Sequence, residues 1–138
     1  MSIEIQTNLQ PEYAYVGCRG TFESDAMLEV WEKAFQFAAA EGRKAVLVDM
    51  RDLTGGPPTT IDRYDQGARV ADLQRGCGAG IAIACLGHEP MIDPDRLGEI
   101  VARNRGAFGR AFTDFDEAVD WIEAELRQRE HTNESLRK

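Results

Sequence analysis

Several features that mark particular classes of protein are scarce in this 138-residue sequence. No apolar run approaches the roughly 20 residues that a membrane-spanning helix requires, so we expect no membrane insertion. The two histidines, His88 and His131, lie far apart, and no Cys-x-x-Cys pair occurs, so we expect no metal site. The odd number of cysteines (Cys18, Cys77 and Cys85) fits a reducing compartment, where disulfides are rare.

Basic residues are also in the minority. The chain has 16 Lys and Arg against 24 Asp and Glu, and its formal net charge at pH 7 is −8. Nucleic acids and anionic membranes both require a basic face, so neither is the expected main partner. The segment Met1–Ile5 has neither the basic start nor the apolar block of a signal peptide, and we expect a cytoplasmic protein. Nucleotide-binding glycine motifs are missing from the predicted strand-to-helix turns, so no cofactor is expected.

The rest of the chain is organised around the stretch Lys44–Ile61. It opens with the apolar run Ala45–Val48, which is typical of a strand buried on both faces. The residues Gly55–Pro58 cannot continue a strand or a helix, and Thr59 or Thr60 then begins a helix. Functional sites of open α/β domains usually lie at such a strand–loop–helix junction.

Hydrophobic patterning along the chain predicts one α/β domain with the order β-β-α-β-α-β-α-β-α. Strands that alternate with helices indicate a mixed central sheet, in which an opening hairpin precedes parallel later strands and helices flank the sheet. We place this domain at residues 1–129 and expect residues 130–138 to form a frayed polar tail. The predicted strands lie near residues 3–6, 13–18, 45–48, 79–86 and 108–113.

Local capping patterns predict where the helices begin. Ser24 is placed as the N-cap of the first helix, and Asp93 as the N-cap of the third, with Pro94 in its first turn. Thr59-x-x-Asp62 has the spacing of a capping box with a shorter acid in place of Glu. The helix after it is expected to turn a thin apolar face inward, made of Ile61, Tyr64, Ala68 and Ala71.

Polar residues cluster at the carboxyl ends of the predicted central strands, where we expect a binding or interaction edge. The residues assigned to this edge are Asp49, Arg51, Asp52, Thr54, Arg63 and His88. A pairing of Arg51 with an acid of its own loop would explain part of this cluster without any ligand. A catalytic Cys85–His88 pair is disfavoured, because Cys85 lies inside an apolar run. No catalytic residue is therefore assigned, and we expect a protein that is not an enzyme.

This element order resembles that of the SpoIIAA-like, or STAS, domains, the fold of anti-sigma-factor antagonists. The segment Val46–Gly55 looks like the central strand and loop of the subgroup described as STAS/SEC14-like, and so does Phe112–Ile122. The likeness extends over roughly Ile3 to Leu126. It implies a domain that regulates other proteins by binding them.

The resemblance also implies a modification site. In the antagonist family, a Ser or Thr at the start of the helix after this strand is phosphorylated by a kinase partner, which releases the domain from its target. Thr59 matches that position, and Thr60 adjoins it. The sequence departs from the Asp-Ser-Ser-Gly-like family pattern, since Pro57 stands in place of the Asp and Thr60 in place of the Gly.

Two hypotheses of function follow. The first is a protein-interaction module that binds a partner through the helix from Thr59 and its adjoining loop, with Thr59 and Thr60 as possible phosphorylation sites. The second, which comes from the SEC14-like part of the resemblance, is a carrier of a small apolar ligand or lipid, and it requires an apolar cavity of several hundred cubic ångströms. A homodimer is also conceivable, because the opening hairpin offers a strand edge for pairing.

Overall fold

Strands and helices follow one another in the predicted order in the computed structural model, which describes the backbone of residues 3–136 and the side chains of residues 3–132. The elements are β1 (Glu4–Leu9), β2 (Ala14–Thr21), α1 (Ser24–Ala40), β3 (Ala45–Thr54), α2 (Thr60–Cys77), β4 (Ala82–Leu86), α3 (Leu97–Asn104), β5 (Gly109–Phe112) and α4 (Phe115–Leu136). The prediction of an α/β domain is thus confirmed.

The strands form one mixed sheet in the order β1-β2-β3-β4-β5. β1 pairs with β2 in antiparallel fashion, as the predicted hairpin requires, and β2, β3, β4 and β5 are parallel to their neighbours. Because crossovers between parallel strands are nearly always right-handed, α1, α2 and α3 are expected on one face of the sheet, and α2 indeed packs against both α1 and α3. The last helix, α4, packs on the opposite face, against β3, β4 and β5.

The central strand β3 separates two hydrophobic layers. All four residues of its apolar run Ala45–Val48 are 0% exposed. Val46 and Val48 pack among residues of α1 and β2, whereas Ala45 and Leu47 pack toward α4 with Ile122. Burial on both faces explains why the run is continuously apolar instead of alternating with polar residues.

The polar continuation of β3 differs from the prediction. The strand does not end at Val48 but extends through Thr54, because its second half keeps pairing with the end of β2. The register between these strands shifts between Gly17 and Arg19, so the ladder contains an irregularity there. Asp49, Arg51 and Asp52 consequently lie on a strand rather than in a loop.

Two predicted helix caps are wrong. Ser24 is the first residue of α1, and its hydroxyl accepts a hydrogen bond from the Gln66 side chain (2.9 Å) instead of capping its own helix. Asp93 and Pro94 precede α3, which begins only at Leu97, because Arg96 adopts a left-handed conformation with φ 58°. The Asp93 carboxylate still accepts a hydrogen bond from the Leu97 amide, at 2.8 Å.

The last helix extends past residue 129, where we placed the end of the domain. α4 continues to Leu136, so regular backbone structure does not end near residue 129, where we placed the start of a frayed tail. Residues 137 and 138 lie outside the described residues.

The predicted inner face of α2 is correct at Ala71, which is buried, and wrong at Ile61 and Tyr64. The buried residues of this helix are Gly67, Val70, Ala71 and Gln74. Gly67 lies against the backbone of α3, where a Cβ atom would be 2.4 Å from the Gly98 carbonyl oxygen. Ile61 and Tyr64 are instead turned toward solvent.

Substitution of Gly67 tests this close approach of α2 and α3. Gly67→Ala would force the two helices apart, so we expect the free energy of unfolding to fall by about 1–3 kcal/mol. Gly76→Ala is the matched control, because Gly76 lies in the same helix and a Cβ atom added there would have no atom within 4 Å beyond its chain neighbours and its own helix backbone. The control should be neutral or stabilising by up to about 1 kcal/mol in chemical denaturation. Equal effects of the two substitutions would contradict the close helix contact.

Candidate functional site

The segment that begins α2 forms the predicted capping box. The Thr59 hydroxyl accepts a hydrogen bond from the Asp62 amide at 3.1 Å, and the Asp62 carboxylate accepts one from the Thr59 amide at 3.0 Å. These two bonds satisfy backbone donors that the first helical turn leaves without intrahelical partners. The Thr59 hydroxyl therefore already has a structural role.

Next to this cap lies an exposed surface that combines hydroxyl and apolar groups. Thr60 is exposed at the first position of α2. Ile61 is 73% exposed, and Tyr64, one turn further along, is 49% exposed. The Tyr64 ring is partly covered by Arg105, which donates a hydrogen bond to its hydroxyl (3.0 Å) and stacks 5.7 Å from the ring centroid. We call Thr59, Thr60, Ile61 and Tyr64 the α2 start surface.

A second cluster is built around the Asp49 carboxylate, which is buried in the middle of the central strand β3. Arg51 donates to it from its backbone amide (3.0 Å), from Nε (3.0 Å) and from Nη2 (2.8 Å). The Tyr15 hydroxyl donates a further bond of 2.6 Å. The expected pairing of Arg51 with a neighbouring acid is thus confirmed, but sequence reasoning missed Tyr15, which comes from the adjacent strand.

Burial and hydrogen bonding act in opposite directions on the charge of Asp49. Burial alone would raise the pKa of Asp49, but the hydrogen bonds from Arg51 and Tyr15 outweigh it and hold the pKa below its ordinary value. Burial and the neighbouring carboxylate raise the pKa of Tyr15 to about 12. The Arg51 guanidinium also stacks on Phe115, 5.6 Å from the ring centroid, at the start of α4. The cluster joins β2, β3 and α4, and its central carboxylate is already engaged by Arg51 and Tyr15.

Asp52 and Thr54 lie further along β3, outside this cluster, where β3 pairs with the end of β2. Asp52 is opposite Arg19 in the β2–β3 ladder. The Thr54 hydroxyl donates to the Gly20 carbonyl at 3.2 Å, which ties the end of β3 to the end of β2.

Arg63 contacts the loop that follows β4, and His88 is part of that loop. Arg63 donates hydrogen bonds to the carbonyls of Pro90 (2.7 Å) and Met91 (3.2 Å), so it holds α2 against that loop. The exposed His88 lines a small cleft of about 130 Å³ together with Arg51 and Pro57. Of the residues assigned to the edge, the structure thus brings Arg51 and His88 to one cleft and places Arg63 against the adjoining loop.

Cys85 is not arranged as a nucleophile. Burial raises the pKa of its thiol to about 12, so the reactive thiolate is not populated near neutral pH. In the described part of the chain, no hydrogen bond joins it to His88, which is exposed beyond the end of β4.

An apolar cavity of about 120 Å³ lies beneath α2 and α3, above β3, β4 and β5. Met27, Trp31, Val70, Ile83 and Ile92 form much of its wall. Sequence reasoning did not locate it, because its walls come from separate elements whose apolar residues also belong to the core. Its volume is well below the roughly 300–1,000 Å³ of typical small-molecule sites, so it is too small for a lipid.

Neither membrane nor metal features appear in the described residues. No helix within residues 3–136 is long and apolar enough to cross a bilayer. In the same part of the chain, no group of three His, Cys, Asp or Glu residues is placed to bind a metal ion.

Comparison with known proteins identifies the fold. No protein-family model and no curated protein matches the sequence. Among solved structures, an anti-sigma factor antagonist from Mycobacterium paratuberculosis superimposes with a TM-score of 0.57 and 13% sequence identity, and covers 88% of this chain and 95% of its own. An uncharacterised protein from Shewanella loihica described as having a SpoIIAA-like fold gives a TM-score of 0.49 and 17% identity, over 88% of this chain and 94% of its own.

The first of these similarities establishes a fold shared with anti-sigma factor antagonists over most of the chain. The resemblance inferred from the sequence is confirmed at the level of fold. At 13% identity, the superposition transfers no residue role from that protein to this one.

Removal of the Thr59 hydroxyl, which caps α2, should produce a measurable decrease in the free energy of unfolding. We expect Thr59→Ala to lower the free energy of unfolding by about 1 kcal/mol, because the Asp62 amide loses its acceptor. Thr60→Ala is the matched control, since the described structure gives the Thr60 hydroxyl no hydrogen bond, and it should change stability by less than about 0.5 kcal/mol. Equal losses for both variants in urea denaturation would contradict the capping geometry.

The Asp49 cluster predicts a pH-dependent contribution to stability. Asp49→Asn should lower the free energy of unfolding by about 1–3 kcal/mol near neutral pH, because charged hydrogen bonds are lost. The native pKa lies below the ordinary value of 3.8. The stabilisation is therefore present above that value and is lost as the pH falls through the native pKa.

Denaturation curves of wild type and Asp49→Asn across acid pH check this sign. The difference between the two proteins should shrink as the pH falls below 3.8. Asp52→Asn, at an exposed position of the same strand, serves as control. A difference that stays constant with pH would show that the Asp49 charge is not the source of the stabilisation.

Proposed function

We propose that this protein is a non-enzymatic regulatory module that binds another protein through the α2 start surface. The observation that carries the proposal is the exposure of Ile61 and Tyr64 beside the exposed Thr60. Isolated apolar side chains are common on surfaces, but two on adjacent turns next to a loop form a small contact area. The fold shared with an anti-sigma factor antagonist supports a regulatory role.

The geometry around the two threonines also supports phosphorylation control. Both side chains are exposed at the amino end of α2, where the helix dipole favours negative charge. A phosphate on Thr59 would lie beside the Asp62 carboxylate, which already occupies the cap, and would compete with it. A phosphate on Thr60 would leave both bonds of the capping box intact. Of the two assigned sites, Thr60 is thus the one at which phosphorylation would disturb the start of α2 less.

The other assigned edge residues have a supporting role in this proposal. Asp49, Arg51 and Arg63 are engaged by the protein itself and fix the positions of β3 and α2. Asp52, Thr54 and His88 are exposed at the same end of the sheet and extend the polar rim of the surface.

Affinity capture tests the surface. Wild-type protein and the variants Ile61→Asp and Tyr64→Ser are used to capture partners from cells that produce the protein. We expect each variant to reduce recovery of the wild-type partner at least tenfold, because a charge or a lost ring disrupts an apolar contact. Phe108→Ser is the matched control, since Phe108 is 56% exposed at the amino-terminal end of β5, away from α2's start. Recovery that is equal for all variants would contradict the proposed surface.

The phosphorylation step has its own test. Thr60→Glu places a negative charge at the proposed acceptor, and we expect it to lower partner affinity several-fold in a titration, whereas Thr60→Ala should bind as the wild type does. The Thr59→Glu variant would lose the cap as well, so its unfolding free energy must be measured beside its affinity. Unchanged affinity of Thr60→Glu, together with an unphosphorylated intact mass of the protein from its own cells, would overturn the switch.

A further inference from the structure

We infer that the cavity beneath α2 and α3 is a binding site for a small, uncharged, apolar molecule about the size of a benzene ring. This site is separate from the α2 start surface, because neither Thr59, Thr60, Ile61 nor Tyr64 lines it. The size follows from its volume of about 120 Å³. An engineered apolar cavity of about 150 Å³ in another protein stays dry and binds benzene or xenon.

The polar groups in the cavity wall indicate an uncharged, apolar ligand, because they already form hydrogen bonds within the protein. Gln66 donates from its side chain to the carbonyl (3.0 Å) and hydroxyl (2.9 Å) of Ser24. The Glu99 carboxylate accepts a hydrogen bond of 2.7 Å from the Ala111 amide of the edge strand β5. Among the described side chains, no buried nitrogen or oxygen lacks a partner. A polar or charged ligand would therefore lose its hydration without gaining a free partner.

Three arginines line the cavity, and two of them, Arg63 and Arg96, are engaged by oxygen atoms of the protein, while the exposed Arg110 lies over the Phe112 ring, 5.8 Å from its centroid. Arg63 is bound to the carbonyls of the loop after β4. Arg96 donates to the Asp93 carbonyl at 2.6 Å and lies 3.8 Å from the Glu89 carboxylate. A carboxylate ligand at Arg63 or Arg96 would have to displace these contacts, which disfavours an anionic ligand there relative to a neutral one.

The composition of the wall suits a ligand instead of a permanently empty void. The sequence has four methionines. All of them except Met1, namely Met27, Met50 and Met91, line this cavity. Methionine is flexible and polarizable, so it adapts to the shape of a guest and also makes favourable contacts with aromatic rings. The wall also includes the exposed Arg110 and the partly exposed Pro58, so a small molecule has a route from solvent.

Benzene is the probe, and methionines labelled with ¹³C in their methyl groups are the reporters. We expect benzene to shift the Met27, Met50 and Met91 methyl signals in a saturable manner and to raise the thermal unfolding midpoint, because it binds the folded state. Benzoate has the same ring with a carboxylate, and we expect it to produce neither effect at equal concentration. Missing shifts with benzene, or equal shifts with benzoate, would overturn the inference.

Filling the cavity provides the second half of the test. Ala102 is buried on α3 and lines the cavity, so Ala102→Leu should weaken benzene binding at least tenfold. Ala40→Leu, at an exposed position of α1, is the matched control and should bind benzene as the wild type does. If Ala102→Leu does not fold, Cys85→Leu places added volume in the cavity from the opposite wall. Wild-type benzene affinity in a folded filled variant would contradict the assigned site.

These experiments stand apart from those on partner binding. The methionine shifts and the unfolding midpoint are measured on the isolated chain, so a failure to bind benzene leaves the α2 start surface untouched. Conversely, Ile61→Asp should lose partner binding and keep benzene binding, since Ile61 does not line the cavity.

Discussion

Burial of β3 on both faces is the constraint on which the rest of the fold depends. The run Ala45–Val48 is removed from solvent by α1 on one side and by α4 on the other. Because the flanking parallel strands β2 and β4 must align with it, the crossover helices are confined to one face and the loops after β3 and β4 meet at one edge. The same strand then continues as Asp49–Thr54, and its hydrogen-bonded carboxylate anchors the edge from which α2 starts.

Sequence reasoning succeeded where the cause is local or is repeated along a chain segment. The apolar run of β3, the opening hairpin and the capping box at Thr59 all depend on residues close together in sequence, so their patterns are visible without tertiary information. The length of β3 was underestimated, since its polar second half is held by pairing with β2, which no local pattern encodes. Ser24 was misassigned for a similar reason, because its hydroxyl serves the distant Gln66.

The inner face of α2 shows most clearly what a hydrophobic pattern cannot reveal. Gly67 is buried because its missing side chain lets α2 and α3 approach, yet glycine carries no hydrophobic signal. Gln74 is polar but buried, because its amide donates to the Ile81 and Phe108 carbonyls and accepts from the Phe108 amide. With these two residues inside, Ile61 and Tyr64 are left outside. The apolar side chains at the start of α2 are therefore available to the proposed interaction surface, because the helix packs against the rest of the protein through other residues.

Site-specific photocrosslinking in cells that produce the protein tests the central claim most directly. A photoreactive aromatic amino acid is introduced at position 61, on the α2 start surface, and separately at position 108, which is also exposed. The account predicts a discrete crosslinked product with one protein at position 61 and none with that protein at position 108. Absence of any product at position 61, or the same product at both positions, would contradict a docking surface at the start of α2.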